Sequence, residues 1–303
     1  MGLQEVWGPL VAWDLFLAGA GAAAYLIGII VGFMGEKYRS VERMGVFLGA
    51  PLVGLGAVIL LVDLGQPLRF MLGFLNPQSS IMSIGIIFIS IFLVLGAIHW
   101  LLQVIKKDLR LAWLGALNCI FALGTMSYTG LLLGVLKAIP FWNTPALPVL
   151  FITSALATGA GAILLGLAVK RWIRPAKAAE EEANTGLSLA VLSKIVIVVV
   201  AVELVILLFF MVIMGYTQGA AKISVNYLLS GDYALAFWLG IIVVGLLVPF
   251  VVEIFARMKS KSLPVARIGD LAAITGVCLL AGGIILRFAI LSAGAPVFLH
   301  LVG

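Results

Sequence analysis

The sequence predicts an all-α integral membrane protein with eight transmembrane helices, both termini outside, arranged as two four-helix bundles. Three observations predict this class. Of the 303 residues, 63% are apolar and 11% are charged, against about 25% charged residues in an ordinary soluble domain. The apolar residues form eight long runs, and the basic residues are concentrated in alternate connections between them.

Each run has about 18 to 27 residues, and a helix of that length crosses about 30 Å of hydrocarbon. None shows the alternation of polar and apolar residues that is typical of the strands of a membrane barrel. In chain order, the predicted spans are about 10–34, 45–62, 80–102, 111–136, 146–169, 188–214, 234–256 and 268–291.

The connections differ sharply in their content of Lys and Arg. From the first loop to the seventh, the counts are three, one, three, one, five, one and four, with Lys194 in the first turns of the sixth span included. Basic loops stay on the cytoplasmic side, so 15 inner residues against 3 outer ones predict that both termini face outside. This placement also explains the net charge of +6 without a nucleic-acid partner. The expected surroundings are a lipid bilayer.

We expect a single polytopic membrane domain over residues 1–303. Residues 1–137 are predicted to form the first four-helix bundle and residues 146–303 the second. A cytoplasmic linker at 170–187 lies within the second part, because this is the one long polar stretch and contains Glu180, Glu181 and Glu182.

Ionisable and phenolic side chains inside the spans are candidates for function, because a bare charge near the bilayer centre costs about 2.5 kcal/mol or more on insertion scales. The candidates are Asp14, Asp63, Tyr128 and Arg287 toward the outer side, Glu203 near the middle, and Glu253 and Asp270 near the cytoplasm.

The candidates near helix ends also have structural interpretations. Asp63 is as well explained by capping a helix end or pairing with Arg69, since charges at helix ends cost little. Glu253 and Asp270 are expected to be interfacial, because water is within reach of a side chain near the end of a span.

The deeper candidates are harder to explain by contact with water. Asp14 and Glu203 must face the bundle interior, be protonated or meet a cation. Arg287 is the obvious cation for an outer carboxylate, so a structural ion pair is one interpretation. A hydrogen bond from the Tyr128 phenol to a neighbouring helix is another.

The redox-metal ligands in the sequence are few. Cys119 and Cys278 are too few for an iron–sulfur cluster or a four-cysteine zinc site. His99 and His300 are expected on opposite sides of the membrane, so they cannot share one haem iron. We expect His99 to be interfacial. The sequence therefore predicts neither haem nor metal in this protein, and any electrons must pass to a partner.

Three stretches make the sequence similar to a known family. They are Trp13 to Tyr25 (WDLFLAGAGAAAY), Asp63 to Phe70 with its continuation through Asn76-Pro77-Gln78-Ser79-Ser80 to Gly85, and Tyr128 to Leu132 (YTGLL). With these motifs the protein resembles the NrfD-like membrane subunits of respiratory oxidoreductases, above all the polysulfide reductase anchor type.

The resemblance implies a subunit that oxidises or reduces a membrane quinone, with menaquinone favoured, in the cytoplasmic (inner) membrane of a prokaryote. It implies electron exchange with an extracytoplasmic iron–sulfur subunit and a molybdopterin catalytic subunit in anaerobic respiration. The quinone site is expected on the outer side of residues 1–137. Tyr128 matches the tyrosine that hydrogen-bonds the quinone, and Asp14 and Asp63 match the polar members of the pocket. The family pocket can include a His in the first span, whereas Ala18 lies one turn after Asp14 here.

The chemistry of a quinol agrees with this implied site. Its oxidation releases two electrons and two protons, so its head group needs a base and a hydrogen-bond donor. A carboxylate and a phenol at similar depth on the first and fourth spans provide both groups.

Glu203, Glu253 and Asp270 form a series from the midplane toward the cytoplasm. With Arg287 holding a carboxylate ionised, they are candidates for a water-filled proton relay through the second bundle. The alternative is that Glu203 only ties the sixth and seventh spans together.

Two other functions remain open from the sequence. A secondary transporter could use Glu203, Arg287 and Asp14 to line a substrate or ion route, although no internal repeat is evident. A passive anchor for a catalytic partner would need neither Asp14 nor Glu203.

Overall fold

The structure is a computed structural model, and it describes residues 7–63, 81–105, 111–173, 182–217, 219–260 and 262–296. All regular structure in these ranges is helical. Eight of the described helices are long and apolar enough to cross a membrane. They match the eight predicted spans to within a few residues at most ends, and the start of the second and sixth helices is about six residues earlier than predicted.

The helices are labelled in chain order. A short 3-10 helix, Glu36–Tyr38, lies between the first two. The bounds are α1 Pro9–Gly32, α2 Arg39–Asp63, α3 Ile81–Ile105, α4 Ala112–Gly134, α5 Ala146–Ile173, α6 Glu182–Tyr216, α7 Ala220–Leu229, α8 Ala236–Met258 and α9 Val265–Ser292.

Proline and glycine mark several of the helix ends. Pro9 occupies the first position of α1, and Pro264 immediately precedes α9. Proline suits these positions because the first N–H groups of a helix have no partner within the helix. Gly35 has φ of 132°, a backbone conformation that glycine adopts at little cost, in the turn between α1 and α2.

Two features were not expected from the sequence. The short helix α7 lies between α6 and α8, and the first half of α8, Ala236–Leu247, is wound as a π-helix. The polar linker predicted at 170–187 is also partly helical, since α5 continues to Ile173 and α6 begins at Glu182. Both helices therefore extend beyond the apolar runs from which their ends were predicted.

Glycine allows α1 and α2 to approach each other closely. A Cβ atom added at Gly28 would lie 2.8 Å from the Gly45 Cα, and one added at Gly49 would lie 2.7 Å from the Tyr25 Cβ. No side chain fits in these gaps. Small residues at such crossings let helices in a membrane gain van der Waals contact without a hydrophobic driving force.

Helices α1 and α5 lie at the centre of the molecule. Helix α1 packs against α2, α4 and α5, and α5 also packs against α6 and α9. At the crossing of α1 and α5, a Cβ added at Gly159 would lie 2.6 Å from the Ala23 Cβ. The helices within residues 1–137 are thus joined to those within 146–303 by a close contact of two small-residue faces.

Candidate functional site

Two buried polar atoms without a protein partner define the candidate site in the first bundle. Asp14 on α1 is 2% exposed and Tyr128 on α4 is 4% exposed. Within the described ranges, neither the Asp14 Oδ1 atom nor the Tyr128 hydroxyl has a hydrogen-bond partner. Buried polar groups in folded proteins are nearly always paired, so an unpaired acceptor and donor together call for a ligand or water.

Glycines on the neighbouring helices make room for these two side chains. A Cβ added at Gly56 of α2 would lie 3.1 Å from the Asp14 Oδ1 atom. A Cβ added at Gly85 of α3 would overlap the aromatic ring of Tyr128. Helices α2 and α3 therefore fix where the carboxylate and the phenol lie.

The carboxylate and the phenol belong to one electrostatic environment. The Asp14 and Tyr128 side chains are close enough for their charges to interact, and Asp14 interacts in the same way with Asp63. Asp63 is exposed and is the last residue of α2. The site thus combines a buried proton acceptor, a buried hydrogen-bond donor and a carboxylate outside the protein core. The predicted pairing of Asp63 with Arg69, and the signature residues 64–80, lie outside the described residues.

Arg287 on α9 is fully buried, and its guanidinium donates three hydrogen bonds. Its guanidinium donates to the Ser154 hydroxyl at 2.5 Å, to the Gly283 carbonyl at 3.1 Å and to the Phe151 carbonyl at 3.4 Å. The guanidinium carbon also lies 5.2 Å from the centre of the Phe151 ring. In the part of the protein that the structure describes, no carboxylate oxygen lies within 4.0 Å of this guanidinium.

Glu203 interacts with Arg287 through a shared hydroxyl rather than by direct contact. The Glu203 carboxylate, on α6, interacts with the Ser154 hydroxyl of α5, and its charge interacts with that of Arg287. Ser154 accepts from the guanidinium and has its own proton available for the carboxylate. Three helices are therefore linked in the order α9, α5, α6, and among the described residues Arg287 forms no direct ion pair with an outer carboxylate.

Glu253, near the end of α8, is buried within the protein. It is 3% exposed, because its side chain lies between α6 and α9, where the hydroxyls of Ser193 and Thr275 face it. None of the three atoms Glu253 Oε1, Ser193 Oγ and Thr275 Oγ1 has a partner with hydrogen-bond geometry among the described residues. Asp270 is exposed and accepts a hydrogen bond from the Trp172 indole at 3.2 Å.

His99 is likewise buried within the protein, with 3% exposure. Its Nδ1 atom lies 2.7 Å from the Tyr25 hydroxyl, and the Asn118 side chain interacts with the same hydroxyl. Sequence reasoning missed this group of Tyr25, His99 and Asn118. The only signal was three polar side chains in apolar runs, each near the end predicted to face the cytoplasm.

Metal ligands do not cluster in the residues that the structure covers. No group of three or more His, Cys, Asp or Glu side chains there is placed to hold a metal ion. The two cysteines are free and half-buried.

The comparison with known families agrees with the motifs and the helical architecture. The family model described as "Polysulphide reductase, NrfD" matches residues 1–298. The protein belongs to this NrfD family. It is thus a membrane subunit of the type found in oxidoreductase complexes.

Three relatives in this family span almost the same length as the protein. The C subunit of polysulfide reductase from Wolinella succinogenes is 29% identical over 95% of this protein and 94% of the relative. Protein NrfD of Escherichia coli is 27% identical over 95% of both sequences. The NrfD homolog of Haemophilus influenzae is 25% identical over 84% of this protein and 85% of the relative.

Proposed function

We propose that this NrfD-family protein is the quinone-interacting membrane subunit of a respiratory oxidoreductase. It would exchange electrons between menaquinol in the membrane and an iron–sulfur subunit on the outer face. The observation that carries the proposal is the buried, unpartnered pair of Asp14 carboxylate and Tyr128 phenol between α1 and α4.

The two groups fit the head group of a quinone. A quinone or quinol, when bound, supplies two electrons and two protons to the exchange. The Tyr128 hydroxyl is a donor suited to one of its oxygens, and the Asp14 carboxylate is an acceptor suited to the proton of the reduced form. Asp63 is exposed at the end of α2. In this proposal it passes a proton from Asp14 to water at the predicted outer surface.

In this proposal the electrons pass to a carrier on a partner subunit. The described residues contain no cluster of metal ligands. The named relatives, the polysulfide reductase subunit among them, support a complex that also contains a catalytic subunit. We place the iron–sulfur subunit over the second and fourth loops on the predicted outer side, with a molybdopterin subunit beyond it and the whole complex at the inner membrane of a prokaryote.

We also propose that Glu203 and Glu253 carry protons through the protein. This second role depends on the proposed quinone reaction. The Glu253 Oε1 atom and the hydroxyl oxygens of Ser193 and Thr275 face one another without good hydrogen-bond geometry, and a water molecule between them would satisfy all three. Glu203 and Ser193 are ten residues apart on α6, about 15 Å along a helix. A relay between these levels therefore needs intervening water, and exposed Asp270 would lie at its cytoplasmic mouth.

The unbroken course of the helices favours the redox function over secondary transport. Transporters commonly bind substrate where helices are interrupted near the midplane. Helix α6 continues through Glu203 and α9 through Arg287 without interruption. The buried polar groups are therefore presented by continuous helices.

Turnover of the intact complex tests the proposed function. We expect Asp14→Asn to lower quinol-dependent reduction of the terminal substrate by about 100-fold or more, in the range for loss of a proton-transfer group. Tyr128→Phe should lower it as well, because the head group loses one hydrogen-bond donor. Activity with an artificial donor that reduces the iron–sulfur subunit directly should be unchanged. Tyr25→Phe and Asp232→Asn are the matched controls, since neither residue belongs to the site or to the proposed proton relay, and Asp232 is exposed. Wild-type quinol turnover in both test variants would remove Asp14 and Tyr128 from the function.

A further inference from the structure

A long apolar groove separates the two helical bundles on one side of the molecule. Its volume is about 1220 Å³, and its walls come from α1, α2, α3, α5 and α9. Trp13 and Phe16, near the start of α1, line one end. Phe47, Leu165 and Leu280 are among the aliphatic and aromatic side chains that line its middle. The groove is thus shaped to receive extended hydrocarbon tails.

The other end of the groove is polar and basic. Arg43 of α2 and Lys170 of α5 line it, together with Ser40 and Gln103. These residues lie at the helix ends that the basic-loop pattern places on the cytoplasmic side. The two cationic side chains therefore sit at the expected level of the phospholipid head groups.

The polar end also contains buried atoms without protein partners. The Trp100 indole nitrogen and the Gln103 Oε1 atom have no hydrogen-bond partner within the described ranges. Both side chains line the groove, and the Gln103 amide nitrogen donates to the Arg43 carbonyl at 3.1 Å. An indole N–H at this level is a donor suited to a phosphate oxygen.

The groove is separate from the proposed quinone site. Trp13 lines the groove, whereas the next residue, Asp14, points toward Gly56 of α2. Neither Asp14 nor Tyr128 lines the groove. A ligand in the groove therefore need not be the quinone of the proposed redox function.

We propose that this groove binds one anionic phospholipid of the inner leaflet. Arg43 and Lys170 pair with its phosphate, and its acyl tails lie along the apolar walls between the bundles. The combination of two cations at one end and a continuous apolar channel below them matches the charge and shape of that ligand. Basic pockets between transmembrane helices on the cytoplasmic side favour anionic lipids for the same electrostatic reason.

Native mass spectrometry of the purified complex tests the site, with cardiolipin, phosphatidylglycerol and phosphatidylcholine as the probes. We expect each copy of the wild-type protein to retain one anionic lipid in preference to phosphatidylcholine. The double variant Arg43→Gln/Lys170→Gln should bind the anionic probes roughly 30-fold more weakly, from about two charge contacts. The control Arg257→Gln/Lys259→Gln removes the same charge at exposed positions around the end of α8, outside the groove, and should bind as wild type.

A substitution in the middle of the groove separates a bound lipid from general attraction to anionic membranes. Ala281→Phe fills the apolar channel and leaves both cations in place, so it should also abolish retention of the lipid. Ala97→Phe, on an exposed face of α3 outside the groove, should not. Equal binding of anionic and zwitterionic lipid, unchanged retention in the test variants, or recovery of a quinone from the groove instead of a phospholipid would overturn the proposal.

Discussion

At the scale of single residues, the guanidinium of Arg287 connects three helices of the second bundle. It binds Ser154 and two backbone carbonyls from inside the protein, and Glu203 approaches the same hydroxyl from α6. Removing one member of a buried charged group leaves its partners unsatisfied, which is typically more costly than the group's net contribution. The Arg287 side chain therefore stabilises the packing of α9 against α5 and α6.

We expect Arg287→Met to lower the thermal stability of the purified protein far more than Ser154→Ala. The first leaves Glu203 as an uncompensated buried carboxylate, with a cost of about 3 to 5 kcal/mol. The second removes one hydrogen-bonding hydroxyl, with a cost of about 1 to 3 kcal/mol. Thermal unfolding in a fixed detergent measures both. Equal stability of Arg287→Met and wild type would show that the three-helix link contributes nothing.

Glu203→Gln separates the two interpretations of the buried carboxylate. The amide keeps the shape and hydrogen bonding of the side chain but does not titrate. If Glu203 is part of a proton relay, proteoliposomes containing the variant complex should lose membrane-potential generation during quinol turnover. Unchanged turnover and unchanged membrane potential would leave Glu203 with only the structural role of joining α5, α6 and α9.

The sequence singled out Asp14 and Glu203 as groups that must face the bundle interior, be protonated or meet a cation, because an exposed charge at that depth is too costly. Both are buried in the structure. It did not predict that His99 and Glu253 are buried within the protein. A polar side chain near a helix end is equally compatible with snorkelling to water and with a partner on another helix. Tyr25 is the partner of His99, and no local pattern in the sequence reports a contact between residues 74 positions apart.

At the scale of helices, glycine positions decide how closely the elements approach. Gly85 faces the ring of Tyr128, and Gly28 faces the Gly45 backbone. Gly54 lies in the same bundle, but an added Cβ there would be 3.8 Å from the nearest atom, which is ordinary contact. These differences make matched alanine substitutions informative.

We expect Gly85→Ala to displace the Tyr128 ring and to lower quinol-dependent turnover although the phenol is still present. Gly54→Ala is the control and should be close to wild type in both turnover and stability. Steady-state assays of the intact complex with quinol and with an artificial donor check this. Full quinol activity in Gly85→Ala would mean that the position of the Tyr128 ring is not important for the reaction.

Gly28→Ala should instead disrupt the crossing of α1 and α2. Its methyl group would lie 2.8 Å from the Gly45 Cα, which is backbone and has no freedom to rotate away. Overpacking of this kind costs about 1 to 3 kcal/mol. The measurement is the yield of folded protein and its melting temperature. A variant as stable as Gly54→Ala would contradict the close approach of the two helices.

The sequence predicted the eight spanning helices, but it did not predict the short helix α7 or the π-helical part of α8. The eight spans follow from runs of apolar residues long enough to cross the hydrocarbon core. Helix α7 was missed because its ten residues, with Lys222 and Asn226, are too short and too polar to read as a span. The π-helical turns of α8 were missed because Ala236–Leu247 is uniformly apolar, and such a run does not distinguish one helix type from another.

At the scale of the whole molecule, orientation in the membrane links the proposed sites to their partners. The eight spanning helices put both ends of the described part of the protein on the same side, and the basic loops predict that this side is the outer one. The proposed quinone site would then face the proposed iron–sulfur subunit, and the basic end of the groove would face the cytoplasmic leaflet. In the reversed orientation, the proposed quinone site would face the cytoplasm and the basic end of the groove would face the outer leaflet.

Cysteine labelling from outside intact cells tests this orientation. In a background lacking Cys119 and Cys278, we expect Asp232→Cys in the sixth loop to react with a membrane-impermeant maleimide. Ala178→Cys in the fifth loop should react only after the membrane is opened. Efficient labelling of Ala178→Cys in intact cells would refute the predicted topology and, with it, the outer position of the redox partner.

Binding of a menaquinone analogue to the complex in nanodiscs tests most directly whether Asp14 and Tyr128 form the quinone site. We predict one saturable site per copy of the protein, with affinity lowered about 5- to 15-fold by Tyr128→Phe, as for loss of one hydrogen bond. A double-mutant cycle with Asp14→Asn should show that the two effects are coupled, because both groups contact one ligand. Tyr25→Phe should bind as wild type. Wild-type affinity in Tyr128→Phe and in Asp14→Asn would contradict the proposed site.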